Sequence, residues 1–199
     1  MATETRWYLR QTLVEPWSYL NGAFNDEEIA KIIKLSTSKK TSSGLEIGKV
    51  NDDQIDNDLR QCQLSWVDSS VESNSWLFQK FTKIITDINF QFFKYDLSMI
   101  DSLQFTKYSD QNNSFYGKHV DIMHRGFSVR KLSVTLQLSD PSEYEGGDLL
   151  LHYKKIPAIA PKEKGSMTFF PSTMLHEVTP VTKGTRLSLV GWVSGPPFK

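Results

Sequence analysis

Cysteine is nearly missing from this chain: Cys62 is the one thiol in 199 residues. No internal disulfide can form, which fits a reducing compartment. As a nucleophile Cys62 has little support, and an ordinary small residue near a strand is the better reading. Net charge is missing too, with 23 Lys and Arg against 23 Asp and Glu. That balance offers no electrostatic grip on nucleic acid or on an anionic membrane. No apolar run approaches the length of a membrane span. The opening Met1-Ala-Thr-Glu-Thr-Arg6 lacks the basic-then-apolar order of a signal peptide. These absences point to a soluble, cytoplasmic protein with neither a nucleic-acid nor a membrane partner.

What the chain has is length for one domain and aromatic residues, with 12 Phe, 7 Tyr and 5 Trp to fill a core. Helix signals come first. Asn25 and Glu28 have the spacing of a capping box, Phe24 is placed to staple against Ile29, and Ile29, Ile32 and Ile33 form a stripe up to Leu35. Ser36 to Asp58 is polar, with one short strand expected within Leu45 to Val50. A second helix is expected from Asn74 to Lys94, where Trp76, Phe81, Ile84, Ile85, Ile88, Phe92 and Phe93 mark one face.

After that helix the apolar period shortens to two. Leu103 and Phe105 share one face, and Gln104, Thr106 and Tyr108 the other. In Lys131 to Leu138, Leu132, Val134, Leu136 and Leu138 oppose Ser133, Thr135 and Gln137. Further strands are expected at 148–153, 165–170 and 185–193, separated by turn signals. A helical wall followed by short strands predicts a mainly β fold, a jelly roll with helices packed on one sheet. Strands that are apolar toward helices and polar on the other side suit a sheet lining a wet pocket. A solvent-facing sheet gives the same pattern.

The chemistry-bearing residues fall in this second half. His119 and Asp121 stand two apart, so in a strand they point to the same face. His176 follows a short turn after the aromatic run Met167 to Pro171. Two imidazoles and one carboxylate on one face of a metal suit Fe(II), and also tolerate Co, Ni, Mn or Zn. Arg186 and Ser188 are again two apart, in an otherwise apolar strand where an unpaired Arg would be costly. Arg can clamp a carboxylate with two parallel hydrogen bonds, and the neighbouring hydroxyl can add another. His124 is placed at the mouth of a pocket, His152 reads as structural, and Arg125 or Arg130 could touch a substrate.

These pieces together resemble a known family. Tyr108, Tyr116-Gly-Lys-His-Val-Asp121, Arg130 to Ser139, Tyr144-Glu-Gly-Gly-Asp-Leu149, Gly165 to Ser172, Leu175 to Val181 and Gly184-Thr-Arg-Leu-Ser188 keep the order and approximate spacing of the 2-oxoglutarate- and Fe(II)-dependent dioxygenases, in their prolyl 4-hydroxylase-like branch. Upstream, Pro16 to Leu20 and Phe24 to Ile29 look like that family's N-terminal helix entry. The resemblance implies a double-stranded β-helix over residues 100–195, with 1–99 supplying helices and variable loops of a single domain. It implies that His119, Asp121 and His176 bind iron, that Arg186 holds the distal carboxylate of 2-oxoglutarate, and that Tyr108 and Ser188 assist it. It further implies O2 as a reactant, succinate and CO2 as products, and ascorbate as a reductant. Lids are expected at 36–58 or 109–115. The substrate implied is a prolyl or other residue in a peptide or protein. A free amino acid or other small molecule is the alternative, and a non-catalytic barrel that binds a partner is the alternative of another class.

Overall fold

A computed structural model describes residues 16–37, 46–47 and 58–198, with the side chains at 46, 47 and 125 outside the description. In chain order the elements are β1 (Ser18–Leu20), α1 (Asp26–Thr37), β2 (Glu46–Ile47), β3 (Arg60–Gln61), β4 (Gln63–Val67), α2 (Ser75–Ile88), β5 (Met99–Ser109), β6 (Phe115–His119), β7 (His124–Arg125), β8 (Ser128–Gln137), β9 (Tyr144–Gly146), β10 (Leu149–Leu151), β11 (Ala158–Ile159), β12 (Met167–Pro171), β13 (His176–Val178) and β14 (Val181–Gly195). A π-helical turn, Asn89–Phe93, prolongs α2 and ends on Lys94 in the left-handed region.

The capping box is in place. The Asn25 backbone N–H donates to Glu28 Oε2 at 2.9 Å, and the Glu28 N–H donates to Asn25 Oδ1 at 2.9 Å. Ile29 and Ile32 of α1 and Leu77, Phe81, Ile85 and Ile88 of α2 are buried in one cluster with Leu103, Phe105, Leu132, Val134, Leu136 and Leu189. The apolar faces of β5, β8 and β14 therefore rest on the two helices. Each fully buried aromatic or branched side chain there contributes about 1.5–3 kcal/mol. Phe90, which the stripe skips, is exposed.

The strands form two sheets. The larger runs β1-β12-β8-β14-β5-β4-β2, with β7 on β8 and β9 on β14, and the smaller runs β11-β10-β13-β6-β3. All the strand pairs are antiparallel. Leu149, Leu151, Phe170, Val178 and Val181 form a second cluster away from the helices. This is the expected double-stranded β-helix.

Two local expectations change, and a third is left untested. Within 16–20, Ser18–Leu20 is an edge strand paired to Phe169–Met167, and the helix begins only after the turn that follows. Tyr19 and Leu20 lack the stripe a helix would need, and the free edge of β12 supplies hydrogen bonds instead. The 109–115 segment is a fixed corner. Gly184 N–H donates to Asp110 Oδ2, Ser114 N–H to Ser109 O, and Val181 N–H to Ser114 O. The other lid candidate, 36–58, lies mostly outside the described residues.

Candidate active site

β5, β8 and β14 turn their polar faces away from the helices, and those faces line a cleft between the sheets. Gln104, Thr106, Tyr108, Thr135, Arg186 and Ser188 all border it. A strand that is polar on one side and fully buried on both must face a pocket rather than solvent, so the wet-pocket reading holds over the solvent-facing one.

His119, Asp121 and His176 meet at this cleft, with one donor atom from each lying within 4.8 Å of the others. The histidines are direct cross-strand partners, His176 of β13 opposite His119 of β6. His119 Nδ1 donates to the Gly117 carbonyl at 2.8 Å, and His176 Nδ1 to the Met174 carbonyl at 2.9 Å. A carbonyl only accepts, so each Nδ1 carries the hydrogen and Nε2 is left with the lone pair that could coordinate a metal. Burial, reinforced by the neighbouring His176, lowers the His119 pKa to about 4. Its imidazole is therefore neutral under physiological conditions, the form that binds metal.

Asp121 reaches the same point differently. β6 ends at His119, so Asp121 is on coil, and strand alternation does not place it. Its N–H donates to the Ser172 carbonyl at 2.9 Å. Ser133 Oγ donates to its Oδ2 at 2.7 Å and lies 3.0 Å from Ser172 Oγ. His119 Nε2 is 3.6 Å from Oδ1, and His176 Nε2 is 3.4 Å from Oδ2.

At the other end of the cleft Arg186 is 1% exposed, and its Nε and both terminal nitrogens have no hydrogen-bond partner among the described residues. Its guanidinium lies 5.3 Å from the Tyr108 ring centre. A buried, charged fork of this kind is costly to leave unsatisfied and is shaped for a carboxylate. The approach is tight: a Cβ on Gly147 would come within 3.0 Å of Arg186 Cδ. One end of the cleft thus suits a divalent metal and the other a carboxylate. The donor set and the orphaned guanidinium together fit Fe(II) and a keto diacid such as 2-oxoglutarate.

The remaining sequence candidates sort clearly. Ser188 is buried and borders the cleft. His152 is paired with Glu177 at 2.8 Å, a structural role. His124 is exposed on β7 and outside the metal trio. Arg130 donates to Asp101 at 3.0 Å and lies over the Trp192 ring. Cys62 is buried, and burial, only partly offset by Arg60, pushes its thiol pKa up, so it is no nucleophile. Arg60 went unnoticed in the sequence, yet it is buried and borders the cleft. The signal was available: Arg60 shares the parity of Cys62 and Leu64, an Arg at an inward position of a strand.

Residues 103–194 match the family described as the 2OG-Fe(II) oxygenase superfamily. A PKHD-type hydroxylase of Prochlorococcus marinus is 39% identical over 94 residues, 47% of this chain and 42% of that protein. A PKHD-type hydroxylase of Gloeothece citriformis is 41% identical over 96 residues, 47% of this chain and 43% of that protein. The chain thus spans less than half the length of these curated relatives. Among solved structures, a Pseudomonas putida prolyl-4-hydroxylase superposes with a TM-score of 0.71 at 22% identity, covering 89% of this chain and 91% of that one. A prolyl hydroxylase from Trichoplax adhaerens, solved with a hypoxia inducible factor peptide fragment, gives 0.74 at 16% identity, covering 89% and 83%. Over residues 103–194, just under half its length, this chain is thus similar to the 2OG-Fe(II) oxygenase superfamily, and its fold is the one found in prolyl 4-hydroxylases.

Proposed function

We propose that this chain, as a single oxygenase domain, is a 2-oxoglutarate- and Fe(II)-dependent hydroxylase acting on a prolyl or other residue of a peptide or protein. The observation that carries the reaction class is the pairing of the His119–Asp121–His176 trio with an unsatisfied, buried Arg186 in one cleft. The bound iron and co-substrate would supply the oxidising chemistry, with succinate and CO2 as products. The chain's own residues place the reactants. Arg186 takes the distal carboxylate, with Ser188 on the same strand face and Tyr108 opposite it in register. Gly117 O and Met174 O hold the imidazoles in one tautomer, and Ser133 holds the carboxylate. Leu149, Phe170 and Val178 give the cleft an apolar wall that would limit water around the bound reactants.

Exposed apolar side chains next to the proposed ligands in sequence support a peptide or protein substrate. Val120, between two ligands, is 45% exposed, and Leu175, beside the third, is 40% exposed. Apolar side chains next to the reacting centre suit a surface that packs against a chain. The Trichoplax neighbour, which was solved with a peptide, supports the same reading.

The test is succinate release from 2-oxoglutarate under Fe(II) and O2, together with intact-mass screening of a peptide library. A gain of one oxygen on a peptide, abolished in His176→Ala, is expected. No turnover with any peptide or small molecule, with partner binding unchanged in His176→Ala, would favour a non-catalytic barrel. Turnover confined to free amino acids would replace the peptide substrate.

A further inference from the structure

A short strand at the edge of the smaller sheet delivers a residue to the metal site. β3 pairs with β6 so that Arg60 stands directly opposite Tyr116. The Arg60 guanidinium lies over the Tyr116 ring, 4.5 Å from its centre. Tyr116 in turn stacks on His119, with ring centres 3.5 Å apart and planes 14° from parallel. Arg60 is itself held in place. It is buried, its NH2 donates to Gln104 Oε1 at 2.6 Å, and its Nε donates to Cys62 Sγ at 3.1 Å.

We infer that Arg60 is a positioning residue for the metal site, acting through the Tyr116 ring to fix the plane of His119. The inference rests on the reading of His119 as a ligand. The hydrogen bond from Nδ1 to Gly117 O sets the tautomer and one point of the ring, and rotation about that axis is left to the stack. A flat ring at van der Waals distance blocks that rotation. A cation over the far face of Tyr116 holds that ring in turn, because the quadrupole of its π face attracts a guanidinium. Gln104, on the polar face of β5, stops the guanidinium from swinging away. Outer residues that orient a ligating histidine are commonly worth ten- to a hundredfold in metal affinity.

The test uses the full chain and Co(II) as probe, with proton NMR of the metal-free protein as a second readout. In the metal-free protein the His119 ring protons should carry an upfield ring-current shift from Tyr116. Tyr116→Phe keeps the ring and should match the parent in both shift and Co(II) affinity. Tyr116→Leu and Arg60→Met should each weaken Co(II) binding by about tenfold, with the shift abolished in the first and reduced in the second. If Arg60→Met fails to fold, Arg60→Lys carries the test, with an expected loss of about threefold. Unchanged Co(II) affinity and unchanged His119 shifts in the folded Arg60 variants would overturn the inference. A parent chain that binds no Co(II) or Fe(II) would instead overturn the metal-site reading and leave the NMR result to judge the stack alone.

Discussion

At the scale of single residues, Arg186 and Ser133 make the sharpest predictions. Arg186 is a buried cation with no hydrogen-bond partner among the described residues, so it destabilises the protein until a carboxylate arrives. Arg186→Met should therefore raise the denaturant midpoint of the metal-free protein while abolishing binding of 2-oxoglutarate. Calorimetry and urea unfolding would read the two effects separately, and a less stable Arg186→Met would contradict the account. Ser133 of β8, itself buried, donates to Asp121. Ser133→Ala should weaken metal binding roughly tenfold, with little change in the melt of the metal-free protein. Metal titration with thermal unfolding checks both.

At the scale of elements, α1 shows how local chemistry fixes an end. Asn25→Ala should cost about 1 kcal/mol in chemical unfolding. Glu28 closes the box and also receives Lys80 of α2 at 2.6 Å. Partial burial opposes its ionisation, but the Lys80 and Asn25 hydrogen bonds outweigh that and lower its pKa below 4.5. A lowered carboxyl pKa adds stability above the unfolded value, and that stability fades as pH falls through the folded value. The stability gap between the parent and Glu28→Gln should thus be full well above pH 4.5 and close below it. Gly165, with φ +81, sits where a Cβ would meet the Phe24 carbonyl at 2.2 Å. Gly165→Ala should cost more than about 1 kcal/mol, because both the backbone conformation and the contact with the start of α1 are lost. The capping box, the α2 stripe and the alternation of β5 and β8 were legible because each is a periodic or short-range signal. The β1 edge strand was not, since its partner lies about 150 residues away. Asp121 was placed on the right face for a reason that does not hold: a coil residue is pinned by Ser172 and Ser133, and no period encodes that.

Across the whole molecule, the β-helix joins two ends of one cleft, a metal end on the smaller sheet and a carboxylate end on the larger. Ligands that bind only the folded state raise its stability by mass action. Fe(II) or Co(II) and 2-oxoglutarate should each raise the melting temperature. The metal effect should be lost in His176→Ala and the diacid effect in Arg186→Met, as scanning calorimetry would show. Most of this site was readable in the sequence because its ligands fall in motifs of fixed spacing. The inward parity of Arg60 was readable, but its place over Tyr116 was not, because strand pairing across some 55 residues brings the two together. The direct opposition of His119 and His176 has one more consequence. The gap between the two imidazoles is set by the spacing of neighbouring strands, which is nearly constant in any antiparallel sheet. Accommodating an ion of different radius would therefore fall to Asp121, the one proposed ligand on a coil, and the selectivity of such a centre would be set by the serines that tether it.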